Sequence, residues 1–238
     1  MLNEFIFDHI NSSEYEVFLT GAGVFEAPAR RYEKVSIDGR NGDLILDENS
    51  VFPVYENVEI RYPAVIFNNF QENYENLKSV LSANLGYAEL SDTIEPERFR
   101  LGTFKEITKL KMTNHLDAGT FEIIFDCKPQ WFLKAGNDVL SVLSNGIIYN
   151  PTSHYSKPLI KVSGAGMIGI NDQIIKISNN ADDFLYIDSE VEDAYKGVVN
   201  RNSDVVFSNN AFPLLKPAEN EITLDGVTLE VTPRWFEI

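Results

Sequence analysis

The sequence predicts a mainly β protein: an α+β N-terminal domain with one helix, then a C-terminal β-sandwich. Three observations predict it. Apolar and polar residues alternate along much of the chain, which is the period of a strand with one buried face. One stretch, 69–85, instead shows the 3.6-residue repeat of an amphipathic helix. Past residue 133, turn dipeptides recur at short intervals, as they do between short antiparallel strands.

The two parts meet in Gly119 to Gly136, GTFEIIFDCKPQWFLKAG. Phe121, Ile123 and Phe125 alternate with Glu122, Ile124 and Asp126, so one face of this strand should be well buried. Cys127-Lys128-Pro129 is expected to end it, because proline cannot donate to a sheet ladder. Trp131, Phe132 and Leu133 follow at once and are too apolar to be left in water. The expected division is a domain over 1–132 running without a flexible linker into a second over 133–238.

In chain order, Phe5-Ile6-Phe7 reads as a first strand. Tyr15 to Leu19 reads as extended and is broken by Gly21-Ala22-Gly23. Tyr32 to Ile37 alternates as a strand. Asp38-Gly39-Arg40-Asn41-Gly42-Asp43 then forms a turn, since glycine and asparagine tolerate positive φ, and Leu44 to Leu46 resumes the sheet. Val54 to Phe67 has a long strand pattern interrupted at Pro63, which suggests an edge or a bulge there. Asn68 or Asn69 can cap the helix. Its apolar face is Phe70, Tyr74, Leu77, Leu81 and Leu85, and Gly86 ends it. Tyr87 to Leu90 and Arg98 to Phe104 read as strands, Lys105 to Leu110 as a continuation, and Asn114 to Gly119 as a turn. In the second half, strand-like pieces include Leu159 to Val162, Gln173 to Ile177, Phe184 to Ile187, Glu221 to Leu224 and Thr228 to Val231.

Composition bounds the function. The 238 residues are 44% hydrophobic, enough for real cores, and carry a net charge of −16. The excess is shared, −10 over 1–132 and −6 over 133–238. Such a surface repels nucleic acid rather than condensing on its phosphates. No apolar run approaches the roughly 20 residues a membrane helix needs. The stretch MLNEFIFDHINSSEYE lacks the basic start and apolar core of a secretion leader, and one cysteine excludes an internal disulfide framework.

No catalytic, cofactor or metal site is expected. His9, His115 and His154 are scattered and have no ligand spacing to one another or to Cys127, which reads as a small buried hydrophobe. Gly164 to Gly169 fits G-x-G-x-x-G letter for letter, but a strand follows where the dinucleotide motif needs a helix. A glycine-rich turn or bulge is the reading taken. Asp182-Asp183 and Asp188 with Glu190, Glu192 and Asp193 lack calcium-loop spacing and read as a solvated face. Asp43 with Asp47 and Glu48 fits hydrogen bonding to nearby backbone. Trp131, Trp235, Tyr155 and Tyr195 could stack on sugar rings; Trp131 and Trp235 are read as interface or core aromatics.

Four stretches, in this order, carry a resemblance. They are Ile37 to Ile45 with its Gly-Arg-Asn-Gly-Asp turn; the helix followed by Tyr87 to Asp92, Glu95-Pro96 and Phe99-Arg100; Phe121 to Pro129; and a set ending in Pro233-Arg234-Trp235. That set also holds Asn150-Pro151, Ser156 to Ile160, Tyr186 to Asp188 and Phe212-Pro213. Together they resemble the distal tail protein (Dit) family of siphophages, end to end. The resemblance implies an N-terminal domain that assembles into a hexameric ring, single or stacked, and a galectin-like C-terminal sandwich. It implies a non-enzymatic tail-tip or baseplate hub without cofactor, built in the host cytoplasm and carried in the virion. The implied partners are the chain itself, the tail tube protein, the tape-measure protein and the tail-associated or baseplate proteins. DNA would pass through without being bound, and no membrane is involved. Gly39, Arg40, Asn41, Gly42 and Asp43 form the candidate assembly loop. The alternative is a carbohydrate-binding module that recognises host cell-wall glycan through the C-terminal sandwich.

Overall fold

The computed structural model describes residues 2–21, 24–25, 27–46, 53–113, 118–178 and 184–238. Among the described residues the fold is mainly β with large antiparallel sheets and one α-helix. It divides into two compact units, residues 1–131 with Ile238, and residues 132–237. His115, Asp47, Glu48, Asp182, Asp183 and the breaker Ala22-Gly23 lie outside the described residues, as does most of the Asn114–Gly119 turn.

The first unit contains β1 (Phe5–Phe7), β2 (Ile10–Asn11), β3 (Val17–Leu19), β4 (Val24–Phe25), β5 (Arg30–Arg31), β6 (Lys34–Val35), β7 (Leu44–Ile45), β8 (Val54–Tyr55) and β9 (Val58–Phe67). Helix α1 (Phe70–Ala83) follows, then β10 (Ala88–Asp92), β11 (Arg98–Ile107), β12 (Lys111–Thr113) and β13 (Ala118–Leu133). The main sheet runs β2-β1-β10-β11-β13-β9-β3. Phe5, Phe7, Ile60, Tyr62, Leu77, Leu81, Ile123 and Phe125 are among its core residues. Phe125 is the meeting point of an aromatic cluster, with Phe7 at 5.0 Å, Phe5 at 5.6 Å, Phe104 at 6.1 Å and Tyr62 at 6.2 Å between ring centroids. The sheet-to-helix contact is anchored by Tyr74, whose ring meets Phe121 edge-on at 5.2 Å while its hydroxyl donates to Thr108 O at 2.7 Å.

Several local expectations are corrected here. The helix ends at Ala83, not 85: Asn84 turns extended and its Oδ1 accepts the Gly86 N–H at 3.0 Å, leaving Leu85 98% exposed. Gly86 is not left-handed. At the other end, Asn68 and Asn69 both adopt positive φ, and Asn69 makes no side-chain cap. Their use is the tight turn out of β9, which asparagine tolerates. Pro63 is neither an edge nor a bulge, for β9 pairs with β13 in unbroken register from Ala118↔Phe67 to Cys127↔Val58. The Pro63 carbonyl accepts from Thr20 N–H at 2.9 Å, so its ring nitrogen lies on that same side, away from β13. There it falls in the gap between β3, which ends opposite Ala64, and β4, which begins opposite Arg61. Pro129 does not end β13 either. Pairing with β9 stops at Cys127, so a missing N–H two residues later leaves no bond to β9 unmade. Ile124, expected on the polar face, is buried. Of the stretch Tyr15 to Leu19 expected to be extended, Val17–Leu19 is a strand, while Tyr15 closes the short 3-10 turn Ser12–Tyr15.

The second unit holds β14 (Leu140–Val142), β15 (Gly146–Asn150), β16 (Leu159–Ile170), β17 (Gln173–Ile177), β18 (Phe184–Asp188), β19 (Asp193–Lys196), β20 (Val199–Asn200), β21 (Val205–Phe207), β22 (Ala218–Thr232) and β23 (Phe236–Glu237). The long strands β16 and β22 pair along their length but exchange outer partners midway. The first half of β16 pairs with β18 and its second half with β17; β22 pairs with β15 and then β14. The change falls at a register shift between Gly164 and Met167, a bulge that lets two strands serve both layers of a sandwich. One core joins the halves, with Ile160, Val162, Leu185 and Ile187 from one and Ile168, Ile170, Ile175 and Ile177 from the other. The G-x-G-x-x-G letters lie in this bulge. Gly166 is there because a Cβ would stand 2.0 Å from Asp225 O.

Candidate assembly surface

Strands β5 to β8 form a hairpin arm outside the main sheet. Its ladders are Arg30↔Tyr55 with Arg31↔Val54, and Lys34↔Ile45 with Val35↔Leu44. Bonds from Glu56 N–H to Ala29 O at 2.9 Å and from Leu46 N–H to Glu33 O at 3.1 Å extend them. The expected strand Tyr32–Ile37 shrinks to Lys34–Val35, which among the described residues pairs with β7 and lies outside the main sheet. Tyr32, Val35, Ile37, Leu46 and Val54 are all exposed, Leu46 and Val54 by about half. A two-stranded hairpin is at best marginal alone in water, so exposed apolar side chains on one suit a further surface.

The candidate loop is the tip of this arm. Gly39, Arg40, Asn41, Gly42 and Asp43 are all exposed. Gly39 and Gly42 have φ of 81° and 77°, and space around both is open. The Arg40 N–H closes a turn on Ile37 O at 3.1 Å. Below the tip, Lys34 Nζ lies 4.7 Å from the Tyr32 ring centre; the Tyr32 hydroxyl first, and Asp43 more weakly, favour its charged form.

The two tryptophans fare differently. Trp131 is half-buried, with the guanidinium carbons of Arg98 and Arg100 at 4.6 and 4.9 Å from its ring centre. Arg100 is only 7% exposed and donates Nη1 to Pro129 O at 3.2 Å, and burial pulls its pKa down. Trp235 belongs to the core of the second unit, with its backbone against Gly136. It offers no face to a sugar, and Tyr195 is stacked on Tyr186 at 5.7 Å. Sequence reasoning missed both the exposed apolar row of the arm and the Arg98–Trp131–Arg100 stack. The spacing of Arg98 and Arg100 on one strand face was the available signal for the stack.

The remaining candidates do not converge. Burial pushes the Cys127 thiol up to about 12, against the weaker pull of Arg100. His154 stacks on Phe236 at 5.6 Å, and His9 is exposed. Asp188 is held by Arg234, and Asp193 Oδ1 accepts from Asn200 and Asn202. Among the described residues no group of three His, Cys, Asp or Glu could hold a metal, and no helix is long and apolar enough to cross a membrane. Two open grooves of about 570 and 500 Å³ lie on the second unit, beside Leu143 and Thr228 and beside Asp172 and Lys216.

No family model matches the chain, and no curated protein matches it. Among solved structures, the chain is similar to Dit (gp 19.1) of phage SPP1. The TM-score is 0.73 at 12% identity, over 97% of this chain and 98% of that one. The chain has the Dit fold. SPP1 Dit is described as a paradigm of the hub adsorption apparatus in phages that infect Gram-positive hosts. The chain is also similar to a chain in structures of the phage p2 baseplate in its activated conformation, one with Ca and one with Sr. There the TM-score is 0.50 at 10% identity, with 97% and 98% coverage.

Proposed function

We propose that this chain is a structural hub of a siphophage tail tip, with a non-catalytic role. The observation that carries the reading is the likeness to SPP1 Dit, which spans nearly the whole of both chains. In this reading the first unit closes into a hexameric ring that continues the tail tube and the second unit decorates it. The tail tube, tape-measure and baseplate proteins are its neighbours, and its place is the virion. A ring needs heterologous contacts whose rotation closes, and the arm, which stands outside the main sheet and exposes apolar side chains, supplies a surface for them. The Arg40–Asp43 tip is the part of it assigned to assembly. A net charge of −16 suits a conduit through which DNA moves without adhering.

The test is the mass of the purified protein by light scattering, with negative-stain images of the same peak. The expected result is a six-fold ring, or two stacked, with a central hole. A protein that stays monomeric at high concentration, and also with the tube protein added, overturns the reading.

A further inference from the structure

We propose that Asn41–Gly42 is a self-modification site, at which the chain deamidates and places a new negative charge on the tip of the arm. The sequence contains two Asn-Gly pairs, Asn41–Gly42 and Asn145–Gly146, and the fold treats them in opposite ways. At the first, both residues are exposed and no strand pairing reaches them. Among the described residues, neither the Asn41 side chain nor the Gly42 N–H makes a hydrogen bond, and apart from Gly42 and its chain neighbours no atom lies within 4 Å of where a Gly42 Cβ would stand. Among the described residues, the backbone bond that orders the loop is the turn from Arg40 N–H to Ile37 O. At the second pair, Asn145 Oδ1 accepts the Leu224 N–H at 2.8 Å, and Gly146 is paired with Ile222 in the sheet.

The reaction needs that freedom. The Gly42 backbone nitrogen attacks the Asn41 side-chain carbonyl carbon and a C–N bond forms. The bond from that carbon to Nδ2 breaks, and ammonia leaves with the proton given up by the Gly42 nitrogen. Water then opens the resulting ring imide at either carbonyl, which leaves aspartate or isoaspartate. No oxidant or reductant is involved. A glycine nitrogen is the least hindered nucleophile a chain offers, and the residues must turn toward each other out of any ladder they occupy. Asn145–Gly146 can do so only by breaking its bonds first, whereas Asn41–Gly42 has none to break. Where this bears on ring assembly it rests on the reading above: a loop with Asp38, Arg40 and Asp43 gains a third acid.

The test is peptide mapping of the full chain after incubation in mildly alkaline buffer, following the Asn-to-Asp mass change at both pairs. Conversion at Asn41 should be faster than at Asn145 by at least about tenfold, the protection that one or two retained hydrogen bonds give. Asn41→Gln should abolish the charge change at the tip. Equal rates, a faster Asn145 or no conversion at Asn41 overturns the proposal. The converted protein is then weighed by light scattering. If it assembles as fresh protein does, the loop has no part in the ring, while the peptide map still decides the chemistry.

Discussion

Arg234 grips Asp188 with both arms of its guanidinium, Nη1 to Oδ1 at 2.6 Å and Nη2 to Oδ2 at 3.0 Å. Asp188 is buried at the end of β18, and Arg234 holds a left-handed φ of 59° just after β22. Burial alone would raise the Asp188 carboxyl. The Arg234 hydrogen bonds, the Glu190 N–H and the charge of Arg234 outweigh it and hold the group below the usual carboxylate range. A depressed carboxylate contributes stability that is present above its unfolded pKa and is lost as pH falls through its folded one. Melting points measured from neutral pH into acid should therefore fall more steeply for the native chain than for Asp188→Asn. At neutral pH, Asp188→Ala should cost about 3 kcal/mol, as for a buried pair that loses one partner. Parallel pH curves would show that the pair is electrostatically idle.

The crossing of β16 and β22 makes a second prediction. A Cβ at Gly166 would meet Asp225 O at 2.0 Å, with backbone rather than a movable side chain in the way. Gly166→Ala should destabilise the second unit by more than about 2 kcal/mol. Gly86→Ala, at a position with open space and ordinary φ, should stay within about 0.5 kcal/mol. Urea unfolding of both variants decides it, and equal midpoints would mean that the bulge relaxes freely.

Helix α1 gives a paired test of its own end. Leu81 is fully buried, while Leu85, on the same apolar stripe in the sequence, is in water. Leu81→Ala should cost about 2–5 kcal/mol and Leu85→Ala no more than about 0.5 kcal/mol. A loss at Leu85 comparable to that at Leu81 would mean the helix runs on to 85.

That pair also shows what can be read from the sequence. Periodicity reported the helix, because Tyr74, Leu77 and Leu81 face one core. It could not report the stop, which Asn84 makes through a hydrogen bond to Gly86. The glycine-rich bulge was legible, since no helix follows it. Pro63 and Pro129 were misread because the cost of a proline depends on which strand lies on its nitrogen side. That is a non-local fact, set by the pairing of β9 with β13 about sixty residues away along the chain. Of the candidate surface, the Gly39–Asp43 turn was readable from its dipeptides. The exposure of Val35 and Leu46 was not, since alternation looks the same whether the apolar face is covered by its own domain or by another chain.

Cys127 offers a chemical check on the first core. Its thiol is fully buried, and a Cβ on Gly102 would stand 2.8 Å from its sulfur. With the pKa pushed up to about 12, the thiolate that alkylating reagents require is scarce at neutral pH. Iodoacetamide should label the native protein far more slowly than the urea-unfolded chain, with the native rate rising only in strong alkali. Prompt native labelling would mean that the β11–β13 packing opens readily.

The arm carries the last prediction. Its apolar side chains and its charged tip touch little of their own unit, so replacing them should leave the protomer almost unchanged, within about 0.5 kcal/mol. If the arm completes its fold on a neighbouring copy, the same changes must appear in assembly. Replacing Arg40 and Asp43 together by alanine should raise the concentration needed for assembly about tenfold, equivalent to 1.4 kcal/mol of lost contact. Val35→Ser with Leu46→Ser should raise it further, since both side chains lose apolar area that assembly would bury. Mass measured by light scattering on serial dilution, beside thermal melts of the dissociated protein, separates the two effects. Dilution curves that superimpose on the native chain's would leave the arm with no role in assembly. Lower melting points in the dissociated protein would mean instead that the arm stabilises its own protomer.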